Sequence, residues 1–242
     1  MKIDIIIPYH PKDEYTIKPC IDSLSLIKNV KNVYVISKHK FEYKDVKWVS
    51  EDLFPFKKDD ICKINTSIKS DRAGWYLQQL LKMYALQVIE GISDNILLID
   101  SDVIFLKEVN LINNDNKISY NFSLEYHKPY FDNMQKLNSF FERSVNISGI
   151  CHFMLFQKYI LDEIFELIKV EGEEVYNTII KSIDGSTQSG FSEYELYFHY
   201  IFKKYPNEFL IKKLKFEDVC DYKEYLNCDS IYIANHAYKR IK

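Results

Sequence analysis

The run Ile96-Leu97-Leu98-Ile99, followed at once by Asp100-Ser101-Asp102, constrains this chain more than any other segment. Consecutive apolar residues cannot alternate between core and water, so the run suits a strand covered on both faces, as in a parallel sheet packed between helices. The preceding segment supplies one cover. From Trp75 to Ile89, apolar residues at Leu77, Leu80, Leu81, Tyr84, Ala85 and Val88 recur at spacings of three and four, one stripe of a helix turned toward a sheet. Two carboxylates directly after the strand then stand where open α/β sheets bind ligands, outside the carboxyl ends of the strands.

The same alternation runs through the chain. Strands are expected at Ile3 to Ile7, Val33 to Ile36, Trp48-Val49, Ile118 to Leu124, Cys151 to Phe156 and Ile231 to Ala234. Helices are expected at Tyr15 to Ile27, Phe131 to Phe141, Ile160 to Val170, Val175 to Ser182 and Glu193 to Lys204. The six glycines and six prolines are scattered singly, and no repeat or linker divides the chain, so residues 1–242 read as one domain. With 242 residues, 47% of them hydrophobic and 15% aromatic, a core can form without disulfides. The expected fold is a single α/β, Rossmann-like domain with a mixed, mainly parallel central sheet flanked by helices.

Composition excludes some functions. Thirty-two basic against 35 acidic residues, a net charge of −3, lack the footprint of a nucleic-acid binder. The five cysteines are an odd number without a Cys-x-x-Cys pair and read as reduced thiols. The apolar opening from Ile3 to Ile7 runs into Pro8 and is too short for a signal-peptide core or a membrane span, so a cytoplasmic protein is expected, in host cytoplasm if the source is viral.

Asp100 and Asp102 flank one small residue, so a turn can aim both at one cation. Carboxylates suit Mg²⁺ or Mn²⁺, which keep positions open for phosphate oxygens. The bland alternative is a plain turn, which Asp and Ser favour anyway. Arg72 offers a planar fork for phosphate, and Gln78 and Lys82 follow on the next helix; a capped, solvated helix start is the alternative. Pro8-Tyr9-His10 closes the first strand, where Tyr9 either stacks on a ligand ring or seals the strand. His152 lies on an apolar segment, as core or as chemistry. Ser192-Glu193-Tyr194-Glu195 has the spacing of a capping box, with Glu195 reaching back to the Ser192 amide. That leaves Glu193, in the first turn of its helix, as the better general base, with Glu195 second.

Four blocks in order resemble a family: Arg72 to Lys82, Leu97 to Asp102, Cys151 to Phe156 and Ser192 to Glu195. Together they are similar to an uncharacterised family of glycosyltransferase A-fold enzymes in bacteria and large DNA viruses, whose Asp-x-Asp motif holds a divalent cation and a nucleotide sugar. The resemblance implies transfer of a sugar from a UDP- or GDP-sugar to a hydroxyl of a glycan or other acceptor, with inversion. It implies donor contacts from Pro8, Tyr9, His10, Arg72, Gln78, Lys82, Asp100 and Ser101. Asp100, Asp102 and the late His236 would hold Mn²⁺ or Mg²⁺, and Glu193, Glu195 or His152 would act on the acceptor. The rivals are a phosphohydrolase of the haloacid-dehalogenase type, with Asp100 as nucleophile, and a sugar- or nucleotide-binding module without turnover. A nucleotidyltransferase is third, because Tyr9-His10-Pro11-Lys12-Asp13 lacks a glycine-rich phosphate loop.

Overall fold

The computed structural model describes residues 1–239. Among these residues ten strands form three sheets. The main sheet contains β1 (Ile3–Pro8), β2 (Val30–Ser37), β3 (Lys47–Ser50), β4 (Asn95–Ile99) and β7 (Phe153–Gln157) in the order β3-β2-β1-β4-β7. The first four strands in chain order run parallel, and β7 runs antiparallel to β4. The apolar run on β4 is therefore central and fully buried, but it has a parallel neighbour on one side only. Around the sheet lie α1 (Glu14–Ser23), α2 (Lys58–Ile64), α3 (Ser70–Val88), α4 (Lys128–Leu137), α5 (Lys158–Ile168), α6 (Val175–Ser182) and α7 (Glu193–Lys204).

Several elements differ from the pattern-based expectation for local reasons. The helix expected through Ile27 ends at Ser23, because Leu24–Leu26 tighten into a 3₁₀ turn and Ile27 leaves in an extended conformation. α2 was not anticipated; Ile61 is its one buried residue, so it carries no apolar stripe to read. α3 starts at Ser70, ahead of its apolar stripe, and puts Arg72 in its first turn. The strand expected across Ile118 to Leu124 shrinks to β6 (Ser119–Tyr120), paired in parallel with β8 (Leu210–Ile211). Among the described residues no helix is long and apolar enough to cross a membrane.

Two features of this topology position the site. The chain leaves β1 toward β2 on one side and returns to β4 on the other, so the crevice falls at the carboxyl ends of β1 and β4. Beyond β4, β5 (Val103–Phe105), β9 (Phe216–Asp218) and β10 (Tyr232–Ala234) form a small sheet in the order β5-β10-β9. Its register pairs Ala234 with Val103 on one side and with Asp218 on the other. The residues next in line are Asp102 and Asn235, and the Asn235 amide donates to the Asp102 carbonyl at 2.9 Å. The far C-terminal segment is thereby laid against the acidic turn.

The amino-terminal end of β1, opposite the crevice, is braced by a buried carboxylate. Asp4 has no exposed surface; its Oδ1 accepts from the Asn32 amide at 3.0 Å and from Asn32 Nδ2 at 2.8 Å, and its Oδ2 accepts from the Ser93 amide at 2.7 Å. It ties β1 to β2 and to the turn before β4. Asp4→Ala strands these donors, and chemical denaturation should show a loss of about 2–4 kcal/mol in unfolding free energy.

Candidate functional site

Asp100-Ser101-Asp102 is held on every side. The Asp100 amide donates to the His152 carbonyl at 3.0 Å, just before β7, and the Asp102 carbonyl takes the Asn235 amide after β10. Ser101, expected to touch a ligand, is 2% exposed and donates through Oγ to Asp13 Oδ2 at 2.9 Å. It fastens the acidic turn to the segment after β1.

The two aspartates face different partners. Asp100 Oδ1 accepts from Lys82 Nζ at 2.6 Å and from Gln78 Nε2 at 3.3 Å. Lys82 also donates to Glu193 Oε1 at 2.7 Å, and its ammonium lies 4.2 Å from the centre of the Tyr194 ring. The Lys82 and Glu193 side chains are each 4% exposed. Burial opposes the Lys82 charge, but Asp100 and Glu193 outweigh it and hold the ammonium protonated well above its ordinary range. Asp102, in contrast, turns toward His236, whose Nδ1 donates to Asp102 Oδ2 at 2.9 Å.

Around that contact a second cluster closes. His236 Nε2 lies 3.5 Å from Asp218 Oδ1, and His152 Nε2 lies 3.4 Å from the same oxygen. His152 Nδ1 is 3.9 Å from Asp100 Oδ2. One ligand atom from each of His152, Asp218 and His236 falls within 4.8 Å of the other two. The His152 backbone has φ of 64°, left-handed space in which histidine is less disfavoured than most residues. Burial disfavours charge on His236, yet its bonds to Asp102 and Asp218 prevail and push its pKa up to about 10. Hydrogen bonds from His152, then His236, hold the Asp218 carboxyl far below the ordinary carboxylate range. Two imidazoles and one carboxylate within this reach, with Asp102 bonded to the other ring nitrogen of His236, suit a divalent cation with mixed nitrogen and oxygen ligands.

The sequence-derived candidates sort accordingly. Asp100, Asp102, His152 and His236 come together, and Gln78 and Lys82 reach the same turn through Asp100. Glu193 does not occupy the open position expected of a base; it is sealed under Asp100 as the charge partner of Lys82, its amide bonded to Gln79 Oε1 at 3.1 Å. The capping box is half formed. Ser192 Oγ accepts from the Glu195 amide at 3.2 Å, but the Glu195 carboxylate turns away and accepts from Ser148 Oγ at 2.7 Å and the Gly149 amide at 3.1 Å. Glu195 has no exposed surface and so cannot meet an acceptor directly. It seats the loop that leads to His152.

The remaining candidates pack locally. Pro8 is buried in β1, the Tyr9 ring packs on Phe41 at 5.2 Å, and the Tyr9 hydroxyl donates to Glu14. His10 is exposed, with Nδ1 accepting from the Lys12 amide at 3.2 Å. Arg72 lies over the Trp75 ring at 4.7 Å, with its buried Nε unbonded. Sequence reasoning missed Asp218. It ends a three-residue strand in the mixed tail, where neither periodicity nor a flanking motif marks it.

The strand order, the acidic turn at the end of β4 and the flanking helices define a glycosyltransferase A-type fold. The chain belongs to a family of unknown function, DUF6492, which matches residues 2–238. No curated protein matches it. Its structure is similar to that of the apo form of mouse xyloside xylosyltransferase 1, with a TM-score of 0.50, 11% identity and coverage of 100% of both chains. It is also similar to a glycosyltransferase involved in the glycosylation of the major capsid of PBCV-1, with a TM-score of 0.46, 13% identity and coverage of 99% of this chain and 97% of that one. At such identities the likeness is one of fold. The acidic turn follows the fourth strand in chain order, whereas the phosphohydrolase plan puts its acidic motif at the first.

The buried Lys82–Glu193 pair gives a direct check on this geometry. Lys82→Met leaves Glu193 without its partner and should cost about 3–5 kcal/mol in thermal or chemical unfolding, and Lys82→Met with Glu193→Met together should recover most of that loss.

Proposed function

We propose that this chain, as one catalytic domain, transfers a sugar from a UDP- or GDP-sugar to a hydroxyl acceptor with the help of Mn²⁺ or Mg²⁺. The observation that carries the reading is the convergence of Asp102, His152, Asp218 and His236 beside Asp100, at the point where the strand order reverses. Asp102, Asp218 and the two histidines would hold the cation, and imidazole ligands favour Mn²⁺ over Mg²⁺. When bound, the cation supplies positive charge to the donor diphosphate as the sugar bond breaks.

The chain's own residues do the rest. Lys82 orients Asp100 through its ammonium, and Glu193 compensates the Lys82 charge in a buried place. Tyr9 and His10 border the β1 side of the crevice, where the base and ribose would lie, and Arg72 offers its guanidinium to the diphosphate. Attack by the acceptor oxygen on the anomeric carbon, opposite the departing diphosphate, gives inversion.

Nucleotide sugars tested with Mn²⁺ by thermal shift and by nucleoside diphosphate release separate this reading from a binding module, which would be stabilised without turnover. Asp102→Asn and Asp218→Ala should each abolish the Mn²⁺-dependent part of the shift and of the turnover while leaving the apo melting temperature within a few degrees. Full metal-dependent turnover in either variant would remove that residue from the cation site. His152→Ala should weaken Mn²⁺ binding at least ~10-fold, because it deletes a ligand and the neighbour of Asp218.

A further inference from the structure

At the opposite end of the small sheet from Asp102 and His236, the chain builds a second concavity. The Leu106 and Lys107 amides both donate to the Ile231 carbonyl, at 2.8 and 3.2 Å, and the Ile231 amide donates to the Lys215 carbonyl at 2.8 Å. These bonds draw the stretches 107–110, 212–215 and 229–231 around a groove of about 360 Å³. Four lysines line it, Lys107, Lys212, Lys213 and Lys215, against two carboxylates, Glu108 and Asp229. The stretch that carries three of the lysines is tied down at alternate residues. Its Lys212 amide donates to the Tyr120 carbonyl at 2.9 Å, and its Leu214 amide donates to Asn121 Oδ1 at 2.8 Å.

The carboxylates do not balance the lysines. Lys107 Nζ lies 2.6 Å from Asp229 Oδ1 and Lys215 Nζ lies 3.5 Å from Asp229 Oδ2, so one carboxylate serves two ammoniums. Glu108 is engaged from outside the groove by Lys28, at 2.7 Å. Neither of these carboxylates, nor any other among the described residues, pairs with Lys212 or Lys213. The chain as a whole carries a net charge of −3, so the basic excess is local. A concave wall of one sign concentrates the field, and the repulsion among its lysines falls when an anion enters. Two large apolar residues stand beside it. Leu210 and Ile211, which form β8 just before Lys212, are 39% and 45% exposed.

We infer that this face docks on an anionic lipid surface, with the lysine groove against the acidic headgroups and Leu210 and Ile211 at the boundary between headgroups and acyl chains. The inference stands apart from the sugar-transfer reading. Charge selects an acidic partner, and the apolar pair selects among acidic partners. A soluble acidic polymer gains little from meeting leucine and isoleucine, whereas a bilayer interface takes them up. Because the chain as a whole is acidic, the rest of its surface is repelled by the same lipids, which orients the docked molecule. β9 runs from the groove to the cation cluster: Lys215 precedes it and Asp218 ends it, about 10 Å of extended chain. Docking thus holds the crevice within the length of one short strand from the groove.

The test is flotation of the full chain with vesicles of phosphatidylcholine alone and of phosphatidylcholine mixed with phosphatidylserine, at low and high salt. Binding should require phosphatidylserine and fall as salt rises. Lys212→Glu with Lys213→Glu should weaken it by at least ~10-fold, the scale of two lysine contacts with an anionic surface, at an unchanged melting temperature. Ile211→Ser should weaken it as well and leave the salt dependence in place. The same double reversal at the exposed Lys63 and Lys169 is the control and should leave binding intact. Equal binding to both vesicle compositions, binding to neither, or an equal loss in the control would overturn the inference. So would wild-type vesicle binding in Ile211→Ser together with capture of soluble polyphosphate that Lys212→Glu with Lys213→Glu abolishes, since the groove would then serve a soluble polyanion.

Discussion

The pairing of β10 between β5 and β9 is the constraint on which the site depends. Val103 follows the acidic turn, Ala234 precedes Asn235-His236 by one residue, and Asp218 ends β9; the register aligns all three. Asp102 and His236, more than a hundred positions apart, thus meet without any long side chain having to stretch, and His236 reaches Asp218 as well. The ladder is short and its side chains are buried, with Tyr232, Ile233 and Ala234 having no exposed surface. A one-residue slip in so short a strand would turn Tyr232, Ile233 and Ala234 to the opposite faces and carry His236 away from Asp102.

The two aspartates of the turn divide the electrostatic work. Asp100 faces a buried row in which Lys82 lies between two carboxylates, a fixed arrangement that leaves little freedom for its Oδ1. Asp102 faces His236, which also reaches Asp218, and these two carboxylates raise the proton affinity of the His236 ring against the cost of its burial. One tripeptide thereby joins a rigid charged support to a candidate cation site. Gly149 adds to that rigidity: a Cβ there would come within 2.6 Å of Phe198 Cβ, so the loop leading to His152 lies flat on α7.

Much of this was legible in the sequence because it is local. The apolar run Ile96 to Ile99 announced β4, and its abrupt end in Asp-Ser-Asp announced the crevice; the bounds of α6 and α7 follow directly from their apolar spacing. His236, just after the last apolar strand, was picked out by the resemblance, and the structure sets it against Asp102. Glu193 was correctly placed in the first turn of α7, but its partner Lys82 lies 111 residues away, and no local pattern tells an exposed helix start from one packed on another helix. Glu195 failed as a capping residue for a similar reason, since the Ser148 and Gly149 donors offered a buried carboxylate more than the Ser192 amide did. Asp218 was invisible because its meaning comes entirely from the β9–β10 register.

The central claim is that two imidazoles and two carboxylates from distant parts of the chain meet at one cation, and pulsed electron paramagnetic resonance of bound Mn²⁺ tests it most directly. The account predicts nitrogen couplings from two histidines, one lost in His152→Ala and the other in His236→Ala, because directly bound imidazole nitrogens are the ligands that distinguish this site from an all-carboxylate one. Mn²⁺ bound with oxygen ligands alone, and unaltered by either substitution, would contradict it.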